Sequence, residues 1–201
     1  MKTKFWLVVG GVIVGLMLVL GAWQVTQRNY QYQGSLIDPP VPAADFSLSD
    51  QNGNLFRLSD QKGAAVLIFF GYTHCPDVCP VTLTEFKQIK QVMGEQVEKL
   101  RFVFITVDPE RDTAEQMQSF LSNFDPSFNG LSAARAELEP VWQAYGVYQA
   151  VSEAASESGY LVDHTSRIYV IDPQGNWKLT YPFGTEVDKM VSDLRHLLSE
   201  Q

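Results

Sequence analysis

The chain has two cysteines, Cys75 and Cys79, separated by three residues within Gly71-Tyr72-Thr73-His74-Cys75-Pro76-Asp77-Val78-Cys79-Pro80. Two close, easily ionised sulfurs do two things well: they bind a soft metal, or they cycle between dithiol and disulfide. A permanent disulfide here would close so short a loop that it would constrain the unfolded chain little. Three histidines accompany them. His196 sits near a run of charges in the last helical stretch and is expected to be solvated. His74 adjoins Cys75, but in an extended segment neighbouring side chains point to opposite sides. His164, in Leu161-Val162-Asp163-His164-Thr165, precedes a predicted strand, where a loop can pass over the cysteines. Imidazole is a common metal ligand and a commoner neutral side chain, so both readings of His164 stay open on these grounds.

The elements that must position these groups are legible on either side. Ala65 to Phe70 is short, apolar and rich in β-branched and aromatic residues, the pattern of a buried central strand. After Pro80, Leu83, Phe86, Ile89 and Met93 recur at helical spacing. The thiols therefore lie where a buried strand hands over to a helix. A helix N-terminus favours negative charge and so stabilises a thiolate. Phe46–Leu48 and Leu55–Leu58 flank Asp50-Gln51-Asn52-Gly53, a hairpin signal in which Asn-Gly supplies positive φ values. Leu100–Val107 predicts a second buried strand, and Asp112 with Glu115 predicts a helix N-cap with a capping box. A short strand at Gly130–Ala133, a helix at Glu137–Tyr145, a strand at Ile168–Ile171 with a hairpin return at Trp177–Tyr181, and an amphipathic helix from Val187 to Leu197 complete the reading. Gln149–Gly159 is polar and is expected to be a mobile excursion. Strands alternating with helices predict one α/β domain with a mixed, largely parallel sheet flanked by helices.

At 201 residues the chain is expected to hold one domain plus an extra segment. Phe5 to Trp23 carries no charge, and about twenty apolar residues span a bilayer. Lys2 and Lys4 precede the run and place residues 1–4 in the cytoplasm; Trp6 and Trp23 stand at its ends, where interfacial tryptophans belong. The run exceeds a usual signal-peptide core and Gly21-Ala22-Trp23 is a poor cleavage site, so a retained transmembrane anchor at 5–23 is expected. Residues 24–42 read as a polar, proline-containing linker, and 43–201 as the exported domain. Setting the two lysines aside leaves 13 basic against 23 acidic residues, a net of −10. That balance excludes nucleic acid as an expected partner.

Cys75-Pro76-Asp77-Val78-Cys79-Pro80, followed by Val107-Asp108-Pro109-Glu110-Arg111-Asp112-Thr113 and by Val162-Asp163-His164-Thr165, resembles the Sco/SenC family of copper-binding, thioredoxin-like proteins. The match covers nearly all of the exported part, with the motifs in the family's order. The resemblance implies a thioredoxin-like fold and a copper site, Cu(I) or Cu(II), made by Cys75, Cys79 and His164. It implies a single-pass protein of the bacterial cytoplasmic membrane whose domain lies on the periplasmic face and serves assembly of cytochrome c oxidase. Subunit II of the oxidase would be the partner, with a periplasmic copper donor upstream. His74 belongs to the family's wording and is not among its ligands. Two thiolates and an imidazole suit Cu(I). Asp77 and Asp163 are candidates for a further Cu(II) ligand or for local turn and cap roles, and Asp163 for orienting His164.

Two functions fit the same dithiol. One is a copper chaperone delivering metal to the copper A site of subunit II. The other is a thiol–disulfide reductase that keeps the copper A cysteines reduced, in which case Cys75 and Cys79 would be catalytic. Oxidoreductases of this fold have two intervening residues and a facing cis-proline. This chain has three, and no proline between Pro140 and Pro173. A peroxidase of the peroxiredoxin type would carry Thr or Ser where Tyr72 stands. Whether the protein is an enzyme at all is left open, with metal handling its primary expected role.

Overall fold

The computed structural model describes residues 11–19, 30–156 and 159–200, and the side chains at 153–156 are not described. The chain divides into two compact units, Met1–Tyr32 and Gln33–Gln201. In the first, residues 11–19 are helical (α1). The rest of the expected anchor, 5–10 and 20–23, lies outside the described residues. Among the described residues no helix is long and apolar enough to cross a membrane.

The second unit begins with β1 (Ser35–Pro42). Part of the expected linker is therefore a strand, paired antiparallel at the edge of the sheet. Hydrogen bonding to a neighbour supplies the order that its polar, proline-containing sequence does not advertise. The hairpin of β2 (Ser47–Asp50) and β3 (Leu55–Arg57) forms as expected. Only Gly53 of its turn has positive φ, at 80°. The turn is closed by the Asp50 carboxylate, which accepts from the amides of Asn52 and Asn54, both at 2.8 Å.

β4 (Ala65–Gly71) is buried along its whole length and leads into α2 (Val78–Met93). β5 (Leu100–Thr106) follows, then α3 (Ala114–Ser122), β6 (Asn129–Ser132) and α4 (Arg135–Ala144). The cap of α3 is Thr113, whose hydroxyl accepts from the Gln116 amide at 3.2 Å. The predicted cap, Asp112, is instead buried and bonded elsewhere. β7 (Gln149–Ser156), β8 (Gly159–His164), β9 (Arg167–Ile171), β10 (Asn176–Pro182) and α5 (Val187–Ser199) complete the chain.

Among the described residues the main sheet has the order β1-β10-β9-β4-β5-β6-β2-β3. Only β4–β5 and β5–β6 are parallel, and the other pairings are antiparallel. The sheet is mixed, as expected, but not largely parallel. Helix crossovers enforce parallel pairing only in the β4–α2–β5–α3–β6 core; β2–β3 and β9–β10 are antiparallel hairpins, and β1–β10, β2–β6 and β4–β9 join strands distant in sequence antiparallel. Side chains alternate across the sheet. Phe69 and Phe104 meet on one face with Phe120 of α3, and Phe86 of α2 meets Phe102 beside them. Phe70 points to the other face, against Tyr145 at the end of α4 and Tyr169 of β9. α5 packs beside α2. This is the helix-flanked arrangement expected of a thioredoxin-like domain.

The expected excursion at Gln149–Gly159 is also ordered differently. Gln149–Ser156 forms β7 and Gly159 begins β8, an antiparallel pair separate from the main sheet, while 157–158 lie outside the described residues. A ladder needs backbone donors and acceptors rather than apolar side chains, so its small polar residues do not prevent it.

Candidate metal centre

Strand direction decides which groups meet. β4 and β5 run parallel, with Gly71 opposite Thr106, so both end at the same edge. β9 runs antiparallel to β4, with Ile168 opposite Phe69, so β9 begins at that edge. His164 ends β8, a short turn before β9, and beyond β4 come Cys75 in the loop and Cys79 in the first turn of α2. Antiparallel entry of β9 is what delivers the histidine to the cysteines, at the end of the sheet where open α/β folds gather ligands.

The donor atoms of Cys75, Cys79 and His164 all lie within 4.8 Å of one another. Cys79 Sγ is 3.7 Å from His164 Nε2. Metal bonds of about 2.0–2.3 Å, as zinc makes to nitrogen and sulfur, correspond to donor separations of roughly 3.5–4 Å. The three groups thus fit a soft metal with small adjustments only. Cys79 is fully buried in the first turn of α2, and Cys75 is 9 % exposed. Gly71 permits this packing: a Cβ there would stand 2.8 Å from the Cys79 sulfur and from Phe69 and Phe104 carbons.

The two sulfurs are electrostatically distinct. The thiol of Cys79 hydrogen-bonds to Cys75 and, outweighing the burial of Cys75, holds that pKa down to about 4; His164 and the amides of Asp77 and Cys79 add to the effect. Burial pushes the Cys79 thiol well above its ordinary value, and the adjacent Cys75 thiolate pushes it further. One sulfur is a standing thiolate and the other a shielded thiol.

His164 Nδ1 faces the Thr165 carbonyl at 3.2 Å. A carbonyl can only accept, so Nδ1 carries a proton, and Nε2 is the ring nitrogen that faces the sulfurs, giving up any proton of its own when a metal binds. The ring is held edge-to-face against Phe69 and Tyr72. Asp163, expected as a possible orienter of His164, is exposed, and the Thr165 carbonyl does that work. Asp77 caps α2 in position but with no side-chain hydrogen bond, and both Asp77 and Asp163 line the cavity of about 270 Å³ outside the thiols.

His74 faces away from the cluster. The Thr73 hydroxyl donates to Asp112 Oδ1 at 2.6 Å, so it accepts from His74 Nδ1 at 3.1 Å. His196 is not solvated as expected; its side chain is 8 % exposed, with Nε2 3.3 Å from Glu200.

The residues that sequence reasoning missed lie in the loop between β5 and α3. Asp112 is fully buried and accepts from Thr73 N, Thr73 Oγ1 and Thr106 Oγ1. It ties the start of the cysteine loop to the end of β5, and burial pushes its carboxyl above the usual carboxylate range. Asp108, also buried, accepts from Arg111 Nε and from the Tyr160 hydroxyl at 2.7 Å. The available signal was period two in β8, where Tyr160, Val162 and His164 share one face.

Residues 37–199 match the family described as SCO1/SenC. A bovine mitochondrial SCO2 homolog is 33 % identical over 189 residues, which span 93 % of this chain and 71 % of the bovine protein. A SCO2-like protein of Rickettsia conorii is 31 % identical over 91 % of this chain and 90 % of its own length. Bradyrhizobium japonicum ScoI with copper bound superposes with a TM-score of 0.71 at 39 % identity, over 78 % of this chain and 99 % of that one. Arabidopsis thaliana ScoI with copper bound gives 0.73 at 30 % identity, over 80 % and 100 %.

Proposed function

The chain belongs to the SCO1/SenC family, and from that premise we propose that its domain is a copper chaperone, binding one copper through Cys75, Cys79 and His164. The observation that carries the reading is the convergence of two sulfurs and an outward Nε2 within 4.8 Å at one sheet edge. Two thiolates with one imidazole suit Cu(I), which accepts soft ligands and low coordination numbers. Cu(II) would take a further, harder donor, and Asp77 or Asp163 at the cavity rim is placed to approach it. The copper-bound state of the similar ScoI structures supports the same assignment.

Binding would cost little rearrangement. Cys75 is already ionised, so the proton that the metal must displace from sulfur is the one on Cys79. The Thr165 carbonyl holds His164 in the ligating tautomer. The recipient is the copper A site of cytochrome c oxidase subunit II during assembly of the oxidase. Transfer proceeds by exchange of Cys and His ligands, so copper is never free. Residues 5–23 anchor the domain to the outer face of the cytoplasmic membrane, with 1–4 inside.

The unequal sulfurs also support a second reading, in which Cys75 reduces a disulfide of subunit II. Cys75 would attack one sulfur to form a mixed disulfide, and Cys79 would then displace the partner's thiolate. The partner gains two electrons, and Cys75–Cys79 becomes the disulfide. Two features disfavour it. Thiolate nucleophilicity falls with pKa, so a sulfur held near 4 attacks weakly. A resolving thiol whose pKa is raised by burial is seldom ionised.

Titration of the reduced, full-length chain with Cu(I) and then Cu(II) decides between them. One copper per chain is expected, with a sulfur-to-Cu(II) charge-transfer band that is lost or strongly weakened in His164→Ala. Weak copper binding indifferent to His164 would sink the chaperone reading and leave disulfide exchange.

A further inference from the structure

The β5–α3 loop donates no atom to the Cys75–Cys79–His164 cluster, yet it grips the hairpin that carries the histidine. The Arg111 guanidinium lies 3.6 Å from the centroid of the Tyr160 ring. Its Nε donates to Asp108 Oδ2, and the Tyr160 hydroxyl donates to Asp108 Oδ1. Three side chains thus close a triangle on a carboxylate that is 1 % exposed. Arg111 Nη1 also stands 3.6 Å from where a β-carbon on Gly159 would be, so the guanidinium lies against the hairpin backbone as well.

The hairpin needs such a hold. β7 and β8 pair with each other and not with the main sheet, and an isolated two-stranded hairpin is marginally stable at best. Its tie nearer the site is the Tyr72 hydroxyl, which accepts from the Val162 amide at 3.2 Å. The ladder is irregular between Val151 and Ala155 of β7 and passes over Leu161 of β8, but Tyr160, Val162 and His164 stand at alternate positions of one strand and each has a partner across it, so what holds Tyr160 bears on His164.

We propose that Arg111 is a positioning residue for the metal site: stacked on Tyr160 and paired with Asp108, it holds the β7–β8 hairpin where His164 Nε2 reaches the cysteine sulfurs. This rests on the copper reading above. A planar guanidinium is required because it stacks and hydrogen-bonds at once, which an ammonium does not reproduce.

The experiment uses the full-length chain with Arg111→Lys, which keeps the charge and loses the flat stack, and Tyr160→Phe, which removes one hydroxyl. Cu(II) affinity, the charge-transfer band and amide exchange in the metal-free protein are measured in the native and His164→Ala backgrounds. Each substitution is expected to weaken Cu(II) binding on the order of tenfold, the usual effect of losing support for a ligand. It should attenuate the band and speed exchange at Val162 and His164. In the His164→Ala background neither should weaken binding further. The same loss in both backgrounds, or none in either, would overturn the positioning role. If His164→Ala itself leaves copper binding unchanged, the site assignment fails first and this role with it.

Discussion

Cys75 and Cys79 are chemically unlike although only three residues separate them, and the difference comes from depth. Cys79 packs against Gly71 with no solvent contact. Cys75 collects the Cys79 thiol, the His164 ring and two amides. With its pKa held down to about 4, metal-free Cys75 should react with iodoacetamide at a rate nearly flat from about pH 5 to 8, whereas a free thiol near 8.5 gains about tenfold per unit below its pKa. Alkylation rates resolved by mass spectrometry check this, and a midpoint near pH 8–9 for Cys75 would refute it. The same depression has a sign for stability. The folded state binds fewer protons on this sulfur than the unfolded chain, so the contribution is complete above about pH 8.5. It is lost as pH falls toward the folded value of about 4. The cysteines and their place at a helix start were legible from spacing alone. The tautomer of His164 was not, because the Thr165 carbonyl that sets it acts through local backbone geometry.

At the level of elements, the site is the end of β4 and the start of α2 with β8 laid over them. The hand-over depends on the missing side chain of Gly71, since a methyl there would meet the Cys79 sulfur at 2.8 Å. Gly71→Ala should therefore destabilise the fold by about 1–3 kcal/mol, the usual cost of overpacking, and weaken copper binding by displacing Cys79. Denaturant unfolding beside copper titration measures both; a variant with native affinity would show that the cysteine loop tolerates the shift. β4, α2, β5, β9 and α5 announced themselves by periodicity, because each buries one apolar stripe or a continuous apolar run. β1 and β7 did not. Both are held by backbone pairing through polar sequence, which leaves no apolar pattern to detect. Asp112 was misassigned as a cap because Thr113 beside it caps just as well, and only the fold brings Thr73 and Thr106 to the carboxylate.

Across the second unit as a whole, the first residues are stitched to the last helix. Asp193 of α5 is fully buried and accepts from the amides of Gln33 and Gly34 and from the Tyr181 hydroxyl. A chain beginning at residue 32 keeps β1 and both amides. One beginning at residue 43 loses the strand and strips donors from a buried carboxylate. Leaving buried polar groups unsatisfied costs about 1–3 kcal/mol each, so the shorter chain should be less stable by at least ~2–3 kcal/mol. Thermal unfolding of the two truncations measures the difference. Equal stability would return residues 33–42 to the role of a linker.

Local order in the sequence determined the strand–cysteine–helix unit, the α/β class, the acidic balance and, through three motifs in order, the family and its candidate ligands. These are properties of neighbours along the chain, where spacing maps directly onto a strand or helix. Tertiary structure decided what joins distant residues: β9 enters antiparallel to β4 and so carries His164 to the cysteines across 85 residues of sequence separation. It also decided that the Asp108–Asp112 loop serves both halves of the site without supplying a donor. Burial and hydrogen bonding at that range depend on strand direction and register, which no local pattern encodes.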